Sequence, residues 1–91
     1  MSDEPYELVV ARPAARAIAD ELPEAVAAAV VEFVTRALVE NPRRVGRELR
    51  NELAGIMSAR RGTFRILCRI DEDRHEVIVL RVEHRRNVYR S

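Results

Sequence analysis

The chain reads as an α+β domain, a helical hairpin packed on a small, mainly antiparallel β-sheet. Three observations predict it. Phe64, Ile66, Cys68 and Ile70 alternate with Arg65, Leu67 and Arg69, so one face of that strand is core and the other carries guanidinium groups. Two stretches between residues 13 and 39 place apolar residues at helical spacing, opening at Pro13 and Pro23. The order strand, helix, helix, then a three-stranded antiparallel meander calls for one sheet packed on a helical hairpin. Ninety-one residues form one domain, 1–91, with room for one sheet and a few helices.

Tyr6 to Ala11 is the first strand, with either the Leu8/Val10 side or the Val9 side facing the core. Pro13 sits in the first turn of a helix, where its missing N–H costs nothing. Ala14 to Glu21 continue that helix, with Ala15, Ile18, Ala19 and Leu22 as the apolar stripe. Pro23 ends it and starts a second helix, about Pro23 to Val39, striped by Val26, Val30, Phe33 and Ala37. Val31, Val34 and Leu38 widen this stripe, which fits either a well-buried helix or one that also receives a partner. Glu40-Asn41-Pro42 stops the helix.

Arg43, Arg44, Arg47 and Arg50 follow around Gly46, in a loop or short helical turn that leads to Leu49 and Leu53. Ile56 to Arg60 is the second strand, with Ile56, Ser58 and Arg60 on one face. Gly62 supplies the positive φ of a tight connection into the arginine-bearing third strand. Asp71 to His75 is a polar hairpin turn. Glu76 to Glu83 is the fourth strand, nearly continuous in β-branched residues as a central strand would be. Asn87 to Ser91 is a short tail.

Charge is polarised along the chain. Residues 1–40 hold three arginines against eight acids, a balance of −5, and residues 41–91 hold thirteen against seven, a balance of +6. A basic half beside an acidic half suggests a surface that meets a polyanion. All sixteen basic residues are arginine, a bias that GC-rich coding accounts for. Arginine clamps phosphate in bidentate fashion and does not act as a base. Cys68 is the sole cysteine, which argues against a disulfide scaffold and fits a reducing cytoplasm. The acidic start has no signal-peptide pattern, and the apolar run Ala25 to Val31 is too short to span a membrane. No metal-ligand set and no cofactor motif is visible.

Three short motifs carry a resemblance. They are Leu49-Arg50-Asn51-Glu52-Leu53-Ala54-Gly55, then Arg60-Arg61-Gly62-Thr63-Phe64-Arg65-Ile66, then Val82-Glu83-His84-Arg85-Arg86-Asn87-Val88-Tyr89. In that order and spacing the chain resembles the RelE family of bacterial toxins, within the RelE/ParE superfamily. The resemblance implies the same α+β fold and a ribosome-dependent mRNA endonuclease that works without a metal, using the ribose 2′-hydroxyl as nucleophile in the ribosomal A site. It implies a cognate, RelB-like antitoxin that holds the toxin inactive, and contact with operator DNA only through that antitoxin.

By the same resemblance, the family's strand arginine falls on Arg65, and its C-terminal arginine and tyrosine fall on Arg85 and Tyr89. Arg60 matches a basic family position at the start of the strand pair, and Arg61 is expected to share its role. With Arg43, Arg44, Arg47 and Arg50 these two form the expected RNA-binding set. The lysines that move protons in well-studied members are missing, and Ser58 stands at the nearest matching position. Proton transfer is left to Tyr89 or to His84, whose ordinary pKa is near neutral. Each residue has a plainer alternative. Arg65 can pair with a cross-strand acid such as Glu76 or Glu83, Tyr89 can cover a sheet edge, His84 can bond only locally, and the arginine loop can be solvated. Cys68, where many relatives have tyrosine, reads as core filler. Two other functions share the fold: a ParE-like inhibitor of DNA gyrase without nuclease activity, and a decayed toxin acting only as an antitoxin-bound co-repressor.

Overall fold

The computed structural model describes residues 4–84. Strand β1 (Glu7–Val10) leads into α1 (Arg12–Arg16), which runs on as a π-helical turn over Ala17–Glu21. Helices α2 (Glu24–Thr35), α3 (Ala37–Glu40) and α4 (Pro42–Val45) follow, then β2 (Arg47–Glu48) and a 3-10 turn at Asn51–Leu53. Strands β3 (Met57–Arg61), β4 (Phe64–Asp71) and β5 (Glu76–His84) complete the described chain. The sheet order is β1-β5-β4-β3-β2. β1 runs parallel to β5, and the other pairings are antiparallel.

The expected meander is present, and β5, rich in Val and Ile, is an interior strand flanked by β1 and β4. The core lies between the sheet and the helices. Ala14, Val30, Leu38, Ala59, Ile66, Cys68, Val77 and Val79 have no exposed surface there. Leu8 and Val10 pack against this core while Val9 stays 39% exposed, which settles the face of the first strand. Burial alone pushes the Cys68 thiol up to about 11, so it is an inert filler of the interior.

Four local features depart from simple periodicity. The second helix is shorter than expected: it breaks at Arg36 (φ −124°, ψ −81°). The Thr35 hydroxyl donates to the Val31 carbonyl at 2.6 Å, and back-bonding of this kind bends a helix. The chain resumes as α3 with Leu38 and Val39 buried. In the first helix the buried residues are Ala14 and Ala17, while Ala15 and Ala19 are exposed. The long π turn, closed by the Leu22 N–H on the Ala17 carbonyl at 2.9 Å, still brings Ile18 and Leu22 against the core.

The third departure is β2, a two-residue edge strand that pairs Arg47 with Ser58 and Glu48 with Met57. The fourth is a bulge in β5. Cys68 pairs with Val79 but Leu67 pairs with Arg81, which leaves Leu80 as an extra residue. The inward set therefore changes from Val77 and Val79 to Val82 and His84, all buried. One inserted residue thus decides where the end of β5 points.

Candidate nucleic-acid interface

Alternation along β3 buries Met57 and Ala59 on the helix side and leaves Ser58 and Arg60 on the open side. Register then sets Arg60 directly across from Arg65 on β4, and Ser58 across from Arg47 on β2. Gly46 allows the approach that brings β2 in. A Cβ there would lie 3.1 Å from the Pro42 carbonyl oxygen and 3.4 Å from Met57 Cε, tighter than most side chains accept. The result is a groove of about 600 Å³ on the open face of the sheet. Arg44, Arg47, Arg60 and Arg65 line it together with Ser58 and Leu49. Among the described residues its lining holds four cations and no carboxylate.

Arg65 is held rather than free. Its Nε–H donates to Glu83 Oε1 at 3.0 Å, and a second guanidinium N–H donates to the same oxygen. The two side chains are 40% and 33% exposed, so the pair lies at the surface and is screened by water. This grip uses the Nε side of the fork and leaves further donors for a ligand. Arg65 thus pairs with a cross-strand acid and also lines the groove.

The remaining expected arginines divide. Arg44, Arg47 and Arg60 reach the groove with Arg65. Arg43 turns to Glu72, with Nη2 at 2.7 Å and Nε at 3.1 Å from Oε2. The Tyr6 hydroxyl donates to the same carboxylate at 2.9 Å, and His75 stacks on the Tyr6 ring at 3.9 Å. This clasp ties α4 and the first strand to the β4–β5 turn. The hydrogen bonds from Arg43 and then Tyr6 hold the Glu72 carboxyl below the usual carboxylate range, while desolvation and then Glu72 push the Tyr6 hydroxyl up. Arg61 points to the helix side, its guanidinium carbon 4.6 Å from the centre of the Phe33 ring. Arg50 is exposed and does not line the groove.

His84, expected as a candidate for proton transfer, is turned away from the arginines. It is 7% exposed on the helix side, with Nε2 3.2 Å from Thr63 Oγ1. Nδ1 has no partner among the described residues. The bulge at Leu80 causes this placement, and local hydrogen bonding is the role the geometry supports. Arg85 and Tyr89 lie outside the described residues. From sequence Glu83 is only a possible ion-pair partner, because strand period alone does not reveal which face position 83 takes. Among the described residues no three histidine, cysteine or acidic side chains gather in a way that could hold a metal ion, and no helix is long and apolar enough to cross a membrane.

A five-stranded, mostly antiparallel sheet backed by helices is a RelE-like fold. The family model described as the ParE toxin of type II toxin–antitoxin systems, parDE, matches residues 9–89, and the chain belongs to the RelE/ParE toxin family. The toxin RelE of Mycobacterium tuberculosis is 44% identical over 88 residues, covering 97% of this chain and 90% of that protein. The toxin RelG of the same organism is 54% identical over 70 residues, 77% of this chain and 80% of that protein. In the crystal structure of the M. tuberculosis toxin–antitoxin complex RelBE2, one chain matches with a TM-score of 0.87 at 49% identity. That match covers 90% of this chain and 100% of the other. Isolated Escherichia coli RelE shares the fold with a TM-score of 0.70 at 17% identity, over 87% of this chain and 83% of its own.

Proposed function

We propose that this toxin is a ribosome-dependent mRNA endonuclease that cleaves in the A site with the ribose 2′-hydroxyl as nucleophile. The observation that carries the reading is the pairing of Arg60 with Arg65 across β3 and β4 on the open face, closed in by Arg44 and Arg47. A phosphodiester gains negative charge as it becomes five-coordinate. Cations fixed on a sheet meet that charge without having to reorganise, which is where electrostatic catalysis is strongest. The ribosome supplies the other requirement by presenting the message in a defined geometry. The relatives named RelE support this reading.

A RelB-like antitoxin is the proposed partner, in keeping with the antitoxin in the RelBE2 complex. An acidic segment laid in the groove would complement its four guanidinium groups and exclude RNA. Purified protein is expected to cut a message carried by translating ribosomes, read out by primer extension, and to leave the same RNA intact without ribosomes. Equal cutting of both would remove the ribosome from the reaction. A second reading, gyrase inhibition of the ParE type, is favoured by the description of the matching family model. Blocked supercoiling beside intact ribosome-bound message would decide for it.

A further inference from the structure

Glu83 holds Arg65, one of the four arginines of the groove. It lies directly across the β4–β5 ladder from Arg65, and its Oε1 accepts both of the Arg65 bonds described above. The bulge at Leu80 puts it there. Unbroken alternation from Val77 and Val79 would turn position 83 into the core. The side chain is instead one-third exposed, at 33%, and open to a ligand.

Cleavage by a 2′-hydroxyl constrains where the proton acceptor stands. The attacking oxygen is separated from phosphorus by two ribose carbons and the 3′-oxygen, so a base for it must lie beside whatever grips the phosphate. The chain has no lysine, and guanidinium groups keep their protons. The Ser58 hydroxyl is a poor acceptor, His84 faces the helices, and Tyr89 lies outside the described residues. Among the described residues, Glu83 is the carboxylate bonded to a groove arginine.

We propose that Glu83 is the general base of the cleavage reaction, a step that rests on the endonuclease reading above. One carboxylate oxygen takes the 2′-hydroxyl proton as O2′ bonds to phosphorus. The P–O5′ bond breaks, leaving a 2′,3′-cyclic phosphate, and the departing 5′-oxygen takes its proton from solvent water. Arg65, aimed by the same carboxylate, meets the phosphate with its remaining N–H groups. The charged groups around Glu83 among the described residues are Arg65 on β4, Arg60 one strand beyond, and Arg81 two residues back on its own strand. α1 packs on β5 through the buried Ala14.

The test is single-turnover cleavage of ribosome-bound message across pH, comparing wild type with Glu83→Gln and Glu83→Asp. Glutamine keeps the shape and can still accept from Arg65, and thermal melting checks that each variant is folded. Glu83→Gln is expected to lose about 100- to 10,000-fold in kcat with KM little changed, and to lose the acid limb of the wild-type pH profile. Glu83→Asp is expected to keep the acid limb at a reduced rate. If wild type cuts while Glu83→Gln cuts as fast or faster, the base is elsewhere, and the assignment falls while the endonuclease reading stands. A slower Glu83→Gln that retains the acid limb would make Glu83 a positioning residue and also overturn the assignment. A wild type that never cuts overturns both.

Discussion

Arg65→Ala is expected to slow cleavage of ribosome-bound message by about 100- to 1000-fold, the usual loss when one fixed donor to a developing oxyanion is removed. The size follows from its place. Arg65 stands opposite Arg60 on a paired strand, it is oriented by Glu83, and it lines the groove with three other arginines. Truncation removes a charge and a directional fork together. Arg65→Lys restores a point charge but cannot span carboxylate and phosphate at once, so only part of the rate should return. The fold should tolerate both changes, because the side chain is 40% exposed and its ion pair is screened by water. Wild-type cleavage by Arg65→Ala in a primer-extension time course would show that the groove does not hold the scissile phosphate.

Ile66→Ala is expected to cost about 2–5 kcal/mol of stability. Ile66 has no exposed surface, and the ladders place it between Ala59 on β3 and Val82 on β5. Alanine 59 on one side offers little volume to collapse into the space. A domain of this size has about 5–15 kcal/mol in total, so the loss is a large share of it. The urea midpoint should fall by about 0.7 M or more, given a slope on the order of 1–3 kcal/mol per molar. Arg69→Ala, three residues further along β4 on the exposed face, is the control and should stay within about 0.5 kcal/mol of wild type. Equal midpoints for the two variants would mean that β4 is not packed as described.

Much of the architecture was legible because the apolar pattern and the turn residues agreed. Phe64, Ile66 and Cys68 are buried while Arg65 and Leu67 are partly exposed and Arg69 is exposed, as the period-two reading requires. Gly62 takes φ +59° at the turn it was expected to make. The illegible features each depend on something that periodicity does not encode. The break at Arg36 adjoins the Thr35 hydroxyl's bond to the Val31 carbonyl, a contact that bends helices. β2 is too short to leave a pattern of its own, and it exists because Gly46 lets the chain lie against β3. The bulge at Leu80 adds one residue and reverses the faces beyond it, which turns His84 to the helix side and sets Glu83 beside Arg65. The split of the arginines was also hidden in composition. Arg43 and Arg61 are spent on Glu72 and on the Phe33 ring, and four others gather in the groove.

Arg60 and Arg61 offer the sharpest comparison, because neighbouring residues on one strand point to opposite faces of the sheet. Arg60→Ala and Arg61→Ala should be assayed side by side on one ribosome-bound message under single-turnover conditions. If RNA is cut on the open face, Arg60→Ala should lose about tenfold or more while Arg61→Ala keeps the wild-type rate. A loss with Arg61→Ala and none with Arg60→Ala would put the chemistry on the helix side and contradict the groove as its seat.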